Sequence, residues 1–386
     1  MSTVPTTEGF SAQDHHWMAQ AIRLARQGLY TTDPNPRVGC VIVGDGEQVG
    51  EGAHLRAGEP HAEVHALRAA GESARGATAY VTLEPCSHHG RTPPCAEALV
   101  NAGVARVVCA MQDPNPLVAG RGLARLREAG IEAVSGLLET TARALNPGFI
   151  SRMERGRPYV RLKLASSLDG RTAMQSGESQ WITGPAARAD VQRLRARSSA
   201  VLTGVETVLI DKASLTVRAA ELGLPAEQAE QAALRQPLRV VLDSQLRLPT
   251  TAPMLSLPGR TLVVTAQAES TSAAVALTAA GAQVLALPGT DGRVDLTALL
   301  SWLAEHEHCN EVLIECGATL AGTALRAGWV DELVLYMAPT LLGSAARPLF
   351  DLPLEQMAQQ HRLQLIDTRQ LGDDLRLTLS CRKETD

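Results

Sequence analysis

The stretch whose reading decides the fold runs from Pro60 to Cys95. It opens with Pro60-His61-Ala62-Glu63-Val64-His65-Ala66, continues as Thr82-Leu83-Glu84-Pro85-Cys86, and closes with Arg91-Thr92-Pro93-Pro94-Cys95. His61 offers a ring nitrogen and Cys86 and Cys95 offer two thiolates, a donor set that suits one zinc ion. Three protein ligands leave the fourth tetrahedral position open for water, as in catalytic rather than structural zinc sites. Water held there loses a proton near neutral pH and becomes a usable nucleophile. Glu63 is not needed as a ligand, so its carboxylate is the candidate to take that proton and return it to a departing amine. The residues therefore point to hydrolytic deamination, with His61, Cys86 and Cys95 on the metal and Glu63 as the catalytic proton carrier. A closed structural site is the competing reading. It needs a fourth donor, for which His65 on the same helical face is the candidate, and it would leave Glu63 without a task.

Zinc deaminases carry H-x-E followed by P-C-x-x-C, whereas here the second cysteine comes nine positions after the first. The inserted segment is polar and carries Pro93 and Pro94, so it reads as a rigid loop, with His88 and His89 as loop histidines near the site. The string from Pro60 to Cys95 resembles the deaminase half of the bacterial bifunctional riboflavin-biosynthesis deaminase/reductase family. That resemblance implies a cytidine-deaminase-like domain with substrate contacts from Asn35, Arg91, Asp113 and Asn115, Arg91 meeting a phosphate.

At 386 residues the chain is long for one core, and two domains are expected. With 45% hydrophobic and 20% charged residues the composition is that of a soluble globular protein. The formal net charge is −5, with no basic stripe, which argues against broad nucleic-acid binding. No long apolar run and a polar start predict neither a membrane span nor a secretory signal. Seven cysteines scattered over this length suit a reducing cytoplasm better than a disulfide framework. Cys40, Cys109, Cys309, Cys316 and Cys381 read as small buried hydrophobes.

Outward from the motif, helical and extended periods alternate, which predicts a three-layer α/β domain over residues 12–150. Helices are expected at 15–28, 63–70, 96–102 and 119–129. Strands are expected at 38–43, 49–54, 77–83 and 104–111, with Gly44-Asp45-Gly46 as a hairpin turn. Asn146-Pro147-Gly148 through Arg157-Pro158 is basic and turn-rich, and the domain boundary is placed there. A second α/β domain, 158–386, should carry strands at 159–165, 200–204, 238–243, 261–265, 284–287, 311–314, 332–337 and 375–381. Residues 223–236 read as a polar, alanine-rich excursion.

The turn Glu315-Cys316-Gly317 leads into a helix, a geometry that binds phosphate through backbone N–H groups. It is not the dinucleotide fingerprint, and a plain helix cap by Thr319 is an equal reading. Lys163-Leu164-Ala165-Ser166-Ser167-Leu168-Asp169-Gly170-Arg171, Ser179-Gln180-Trp181-Ile182-Thr183 and Glu315-Cys316-Gly317 resemble the reductase half of the same family. The resemblance implies a dihydrofolate-reductase-like fold that takes hydride from NADPH and dimerises through this domain. It implies cofactor contacts from Ala165, Trp181, Thr207, Asp211, Ser244 and the turn Gly317, Ala318, Thr319, Leu320, Ala321, Gly322 and Thr323. It implies substrate contacts from Ser179, Arg195, Leu215, Arg218 and Glu315, the guanidinium groups suiting a sugar phosphate. One departure stands out: where the family pattern has Asp-Asp-Pro, this chain has Asp211-Lys212-Ala213.

The favoured reading is thus a two-headed enzyme holding one zinc and NADPH. It deaminates a phosphoribosylaminopyrimidine and reduces its ribosyl unit to ribityl, with no nucleic acid or membrane as partner. A nucleic-acid base deaminase with a non-catalytic second domain is the first alternative, and a zinc-stabilised binding protein, which requires a closed metal site, is the second.

Overall fold

Three glycines set the packing of the first unit. A computed structural model describes residues 9–87 and 94–381. His88, His89 and Arg91 lie outside the described residues. The chain divides into two units, Met1–Gly156 and Arg157–Asp386. The first holds α1 (Ala12–Ala25), β1 (Gly39–Gly44), β2 (Glu47–Ala53), α2 (Ala62–Ala70), β3 (Thr78–Val81), α3 (Cys95–Ala102), β4 (Arg106–Cys109), α4 (Arg121–Glu128), β5 (Glu132–Ser135), α5 (Glu139–Arg143) and α6 (Pro147–Arg155). Its sheet runs β2-β1-β3-β4-β5. β1 is antiparallel to both neighbours and β3, β4 and β5 are parallel.

A Cβ on Gly50 would stand 2.3 Å from the Ala66 carbonyl oxygen, and one on Gly52 2.4 Å from that of Ala62. Helix α2 therefore lies backbone-close on the hairpin, presenting Ala62, Ala66 and Ala70, the four-residue spacing of one helical face. Gly39 does the same for α1, where a Cβ would meet the Ala21 carbonyl oxygen at 2.0 Å. Gly39 pairs with Ala53 and its neighbour Cys40 with Gly52. Paired residues share a face and successive residues alternate, so α1 and α2 cover opposite faces. The result is three layers around a core in which Cys40, Val41, Ile42, Ala79, Val81, Val107 and Val108 are fully buried.

Asp14 ties α1 to this sheet. It forms a capping box with Ser11, accepts from Tyr80 Oη at 2.8 Å and pairs with Arg106 Nη1 at 2.6 Å. Burial alone would raise its carboxyl, but the bonds from Arg106, Ser11 and Tyr80 prevail and hold it at about 2. The turn-rich composition near Pro147 hides α6. Pro147 occupies the first helical turn, where its missing N–H costs nothing, and Phe149 and Ile150 pack into the core of the first unit. The Asn146 side chain closes a two-bond clamp on the Arg37 backbone, at 2.8 and 2.9 Å.

The second unit holds β6 (Tyr159–Ser167), β7 (Arg171–Ala173), α7 (Pro185–Arg197), β8 (Ala200–Gly204), α8 (Val205–Asp211), α9 (Ala226–Leu234), β9 (Leu238–Leu242), β10 (Thr261–Thr265), α10 (Ser272–Ala279), β11 (Gln283–Ala286), α11 (Leu296–His306), β12 (Glu311–Glu315), α12 (Ala318–Arg326), β13 (Glu332–Ala338), β14 (Arg347–Pro348), β15 (Gln364–Leu371) and β16 (Asp374–Ser380). Its main sheet has the order β11-β10-β9-β8-β12-β6-β13-β16-β15, parallel from β11 to β13 and antiparallel through β16 and β15. The parallel strands read as continuous apolar runs because helices cover both faces. β15 gave no such signal, being the exposed outer strand with Leu365 and Ile366 each 58% exposed. The polar stretch before β9 forms α9 on two buried alanines, Ala229 and Ala232. Among the described residues no helix is long and apolar enough to cross a membrane.

Asp14 lies well below the ordinary carboxylate value of about 3.9. Its contribution to stability is thus complete above about pH 4 and fades as pH falls through about 2. We expect Asp14→Asn to lower the thermal midpoint at neutral pH, and the gap to wild type to close as the pH approaches about 2, read by circular dichroism.

Candidate functional site

His61 is the N-cap residue of α2 and Cys95 the first residue of α3, while Cys86 follows the carboxyl end of β3. Two helix starts and one strand end thus converge. His61 Nδ1 stands 3.3 Å from Cys95 Sγ and 3.8 Å from Cys86 Sγ. The Cys95 backbone N–H donates to Cys86 Sγ at 3.3 Å. The three donor atoms lie within 4.8 Å of one another, and among the described residues no fourth histidine, cysteine or carboxylate joins them. His65 stays outside the group, its Nε2 buried without a hydrogen-bond partner. One imidazole and two sulfurs at this spacing fit zinc.

The hydrogen bond from Cys95, ahead of that from His61, pulls the Cys86 thiol well down, so Cys86 carries the negative charge. Cys95 is pushed up, first by its hydrogen bond to Cys86 and then by burial. Glu63, in the first turn of α2, is 3% exposed. Burial, only partly offset by His61, raises its carboxyl to about 7. A group near neutrality can both accept and return a proton at working pH.

Glu84 is the residue whose part the sequence did not announce. Its buried carboxylate accepts four backbone N–H bonds, from Asp113 and Gly120 on Oε2 at 3.1 and 2.9 Å and from Gly122 and Leu123 on Oε1 at 2.9 and 3.1 Å. Three of these come from the start of α4, whose dipole favours an anion there. A Cβ on Gly122 would lie 2.0 Å from the Pro85 carbonyl oxygen, so only glycine lets α4 come this close. Asp113 and Asn115 spend side-chain oxygens on their own loop: Asp113 Oδ1 accepts from Asn115 N at 2.8 Å and Asn115 Oδ1 from Leu117 N at 3.0 Å. Asn35 donates through Nδ2 to His54 Nε2 at 3.2 Å.

In the second unit the carboxyl ends of β6, β8, β9 and β12 open onto a cavity of about 1460 Å³. Ala165, Ser179, Thr207, Asp211, Ser244, Glu315, Gly317, Ala318, Thr319, Leu320 and Thr323 lie on its wall. The N-cap of α12 is Gly317, not Thr319, and no side chain caps it. Thr319 sits inside the first turn instead, where its carbonyl accepts from Thr323 Oγ1. Nothing lies within 4 Å of where a Gly317 Cβ would be. An uncapped helix start facing open space in a cavity of this size fits a dinucleotide phosphate.

Six expected contacts are not on that wall. Ala321 is wholly buried, and Gly322 backs onto Asp351, whose carbonyl oxygen would stand 2.1 Å from a Cβ. Leu215 is core, 2% exposed. Trp181 is exposed, with the Arg188 guanidinium 4.7 Å over its ring. Arg195 closes its fork on Glu315, Nε to Oε1 at 2.6 Å and Nη2 to Oε2 at 2.9 Å, so it holds the wall carboxylate from behind. Arg218 pairs with Glu221 at 2.6 Å. Lys163, which carried no role in the sequence reading, does reach the wall. Burial lowers its ammonium, outweighing the Glu315 charge, which acts in the opposite direction. At the departure noted in the sequence, Lys212 ends α8 in the left-handed region, φ 49°, and Asp211 keeps its place on the wall.

Residues 158–377 match the RibD C-terminal domain family, and residues 11–111 the cytidine and deoxycytidylate deaminase zinc-binding region. The chain is 55% identical over 372 residues to riboflavin biosynthesis protein RibD of Escherichia coli, covering 95% of this chain and 99% of that protein. It is 49% identical to the Haemophilus influenzae protein of the same name, covering 96% and 98%. Among solved structures, Acinetobacter baumannii RibD superposes with a TM-score of 0.87 at 52% identity, covering 95% and 98%. A Thermotoga maritima diaminohydroxyphosphoribosylaminopyrimidine deaminase/5-amino-6-(5-phosphoribosylamino)uracil reductase does so with 0.81 at 32%, over the same shares.

Replacing Glu84 by Gln removes the charge and turns one acceptor into a donor facing N–H groups. We expect a loss of about 1–3 kcal/mol in the unfolding of the first unit, measured by denaturant titration against wild type.

Proposed function

The chain belongs to the RibD family, and we propose that its two units act in turn on one phosphoribosylaminopyrimidine. It is a bifunctional enzyme of riboflavin biosynthesis, a deaminase and a reductase. In our reading the first unit removes a ring amino group with water, releasing ammonia. The second reduces the ribosyl group of the deaminated product to ribityl. The observation that carries the reading is the donor triad His61, Cys86 and Cys95, with a buried carboxylate at Glu63 and no fourth donor among the described residues.

We assign zinc to His61 Nδ1 and the two sulfurs, where it supplies the Lewis acidity that makes water a nucleophile at neutral pH. Glu63 is the chain's own proton carrier: a carboxylate oxygen would accept the proton of the attacking water and return it to the departing amine. Its raised pKa, about 7, matches a group that must change state twice per turnover. Asn35, Asp113 and Asn115 are assigned to the pyrimidine. Arg91, beyond the described residues, is assigned to the phosphate.

In the reductase, NADPH supplies hydride. Gly317 and the first turn of α12 hold its phosphates, while Ala165, Thr207, Asp211 and Ser244 line its path. Ser179 and Glu315 face the sugar, Arg195 fixes Glu315, and Arg218 is assigned to the phosphate. Seven free cysteines support a cytoplasmic setting. We assign a small molecule as partner, not nucleic acid or membrane. A homodimer is supported by the exposed apolar residues of the outer strand β15, and sedimentation should return twice the chain mass.

Glu63→Gln should keep one zinc per chain, cut ammonia release by about 100-fold or more, and leave NADPH oxidation on the deaminated substrate intact. Chelating the zinc should give the same split. Metal content, ammonia and absorbance assays on one preparation decide it, and equal loss of both activities in a folded sample would sink the two-site reading.

A further inference from the structure

The Asn35 contact leads to a residue that the sequence reading passed over. His54 is 2% exposed and lies just beyond β2, between Asn35 and the residue before His61. Its Nδ1 lies 3.2 Å from the Pro60 carbonyl oxygen and its Nε2 3.2 Å from Asn35 Nδ2. Its ring meets the His61 ring edge-on, centroids 5.3 Å apart, so the Asn35 amide stands one imidazole away from His61. A carbonyl oxygen only accepts, so Nδ1 must carry the ring proton. Nε2 of a singly protonated ring then only accepts, and its partner must be the NH₂ of Asn35 rather than the oxygen. The amide orientation follows from this chain of bonds. Asn35 Oδ1 has no partner among the described residues.

We infer that His54 is a positioning residue of the deaminase site, which locks the Asn35 amide so that Oδ1 faces the ligand as an acceptor for an N–H of the aminopyrimidine. The inference rests on the deaminase reading above and deepens it. A ring that offers N–H at that edge is taken, and one that offers only a lone pair meets another lone pair and is rejected. The contact is made to a part of the ring that is the same before and during reaction, so it acts on binding more than on turnover.

Two substitutions separate the Asn35 bond from the Pro60 bond. In His54→Asn the shorter amide can still donate to the Pro60 carbonyl but falls short of Asn35. In His54→Gln the amide offers one donor and one acceptor at the reach of the imidazole. We expect His54→Asn to raise the deaminase KM about tenfold with kcat little changed, zinc at one per chain, and NADPH oxidation on deaminated substrate unaltered. His54→Gln should restore most of the KM. In an Asn35→Ala background, His54→Asn should add nothing further.

The inference is overturned if His54→Asn raises KM by the same factor in the Asn35→Ala background, or if kcat falls while KM stays. It is also overturned if both His54 variants lose zinc, which would place the role at the turn before His61. Wild-type enzyme that releases no ammonia from the aminopyrimidine would instead overturn the deaminase reading itself, and this inference with it.

Discussion

A single buried carboxylate organises the deaminase unit. Glu84 draws four backbone N–H groups onto two oxygens, and an unpaired charge there would cost several kcal/mol. The bonds reach the loop at Asp113 and the first turn of α4, so the strand end, that loop and a helix cannot shift independently. Cys86 is two residues beyond Glu84, and its sulfur in turn accepts from the first N–H of α3. The placement of the soft ligands is thereby inherited from a hard, purely structural anion.

The reductase unit uses charge on one strand at both ends. β12 begins with Glu311 and ends with Glu315, with Val312, Leu313 and Ile314 buried between them. At the amino end Glu311 accepts from the fully buried Arg161 on β6 at 2.6 Å and pairs with Arg197 at 3.0 Å. At the carboxyl end Glu315 is clamped by Arg195 and stands in register with Lys163. Arg195 and Arg197 both come from the last turn of α7. One helix end therefore serves both a structural ion pair and the cavity wall.

Metal chemistry was legible because it needs rare residue types at fixed spacing, and the same ligands could serve little else. The parallel strands were legible because burial on both faces leaves unbroken apolar runs. The reductase wall was less so. It is assembled from many strand ends, and a residue's number says nothing about whether it points in or is packed behind, as Arg195, Leu215 and Ala321 show. Glu84 was illegible for another reason: its importance lies in backbone groups far along the chain, which every residue possesses. His54 was illegible because its part runs through a single side-chain amide, that of Asn35, which no spacing rule links to it. α6 was masked by Pro147 and its arginines, although a proline at a helix start is no obstacle, and β15 by its exposure on both faces.

The close seating of α2 on its hairpin has an evolutionary corollary. Tolerance to substitution should form a stripe, with Gly50 and Gly52 intolerant of any side chain and Glu51 between them open to many. The matching stripe on the helix falls every fourth residue, at Ala62, Ala66 and Ala70. Because that helix begins at a metal donor, drift at these small residues would tilt the imidazole before it unfolded anything. In a saturation library, such variants would be scored as catalytic defects although none of them touches the substrate.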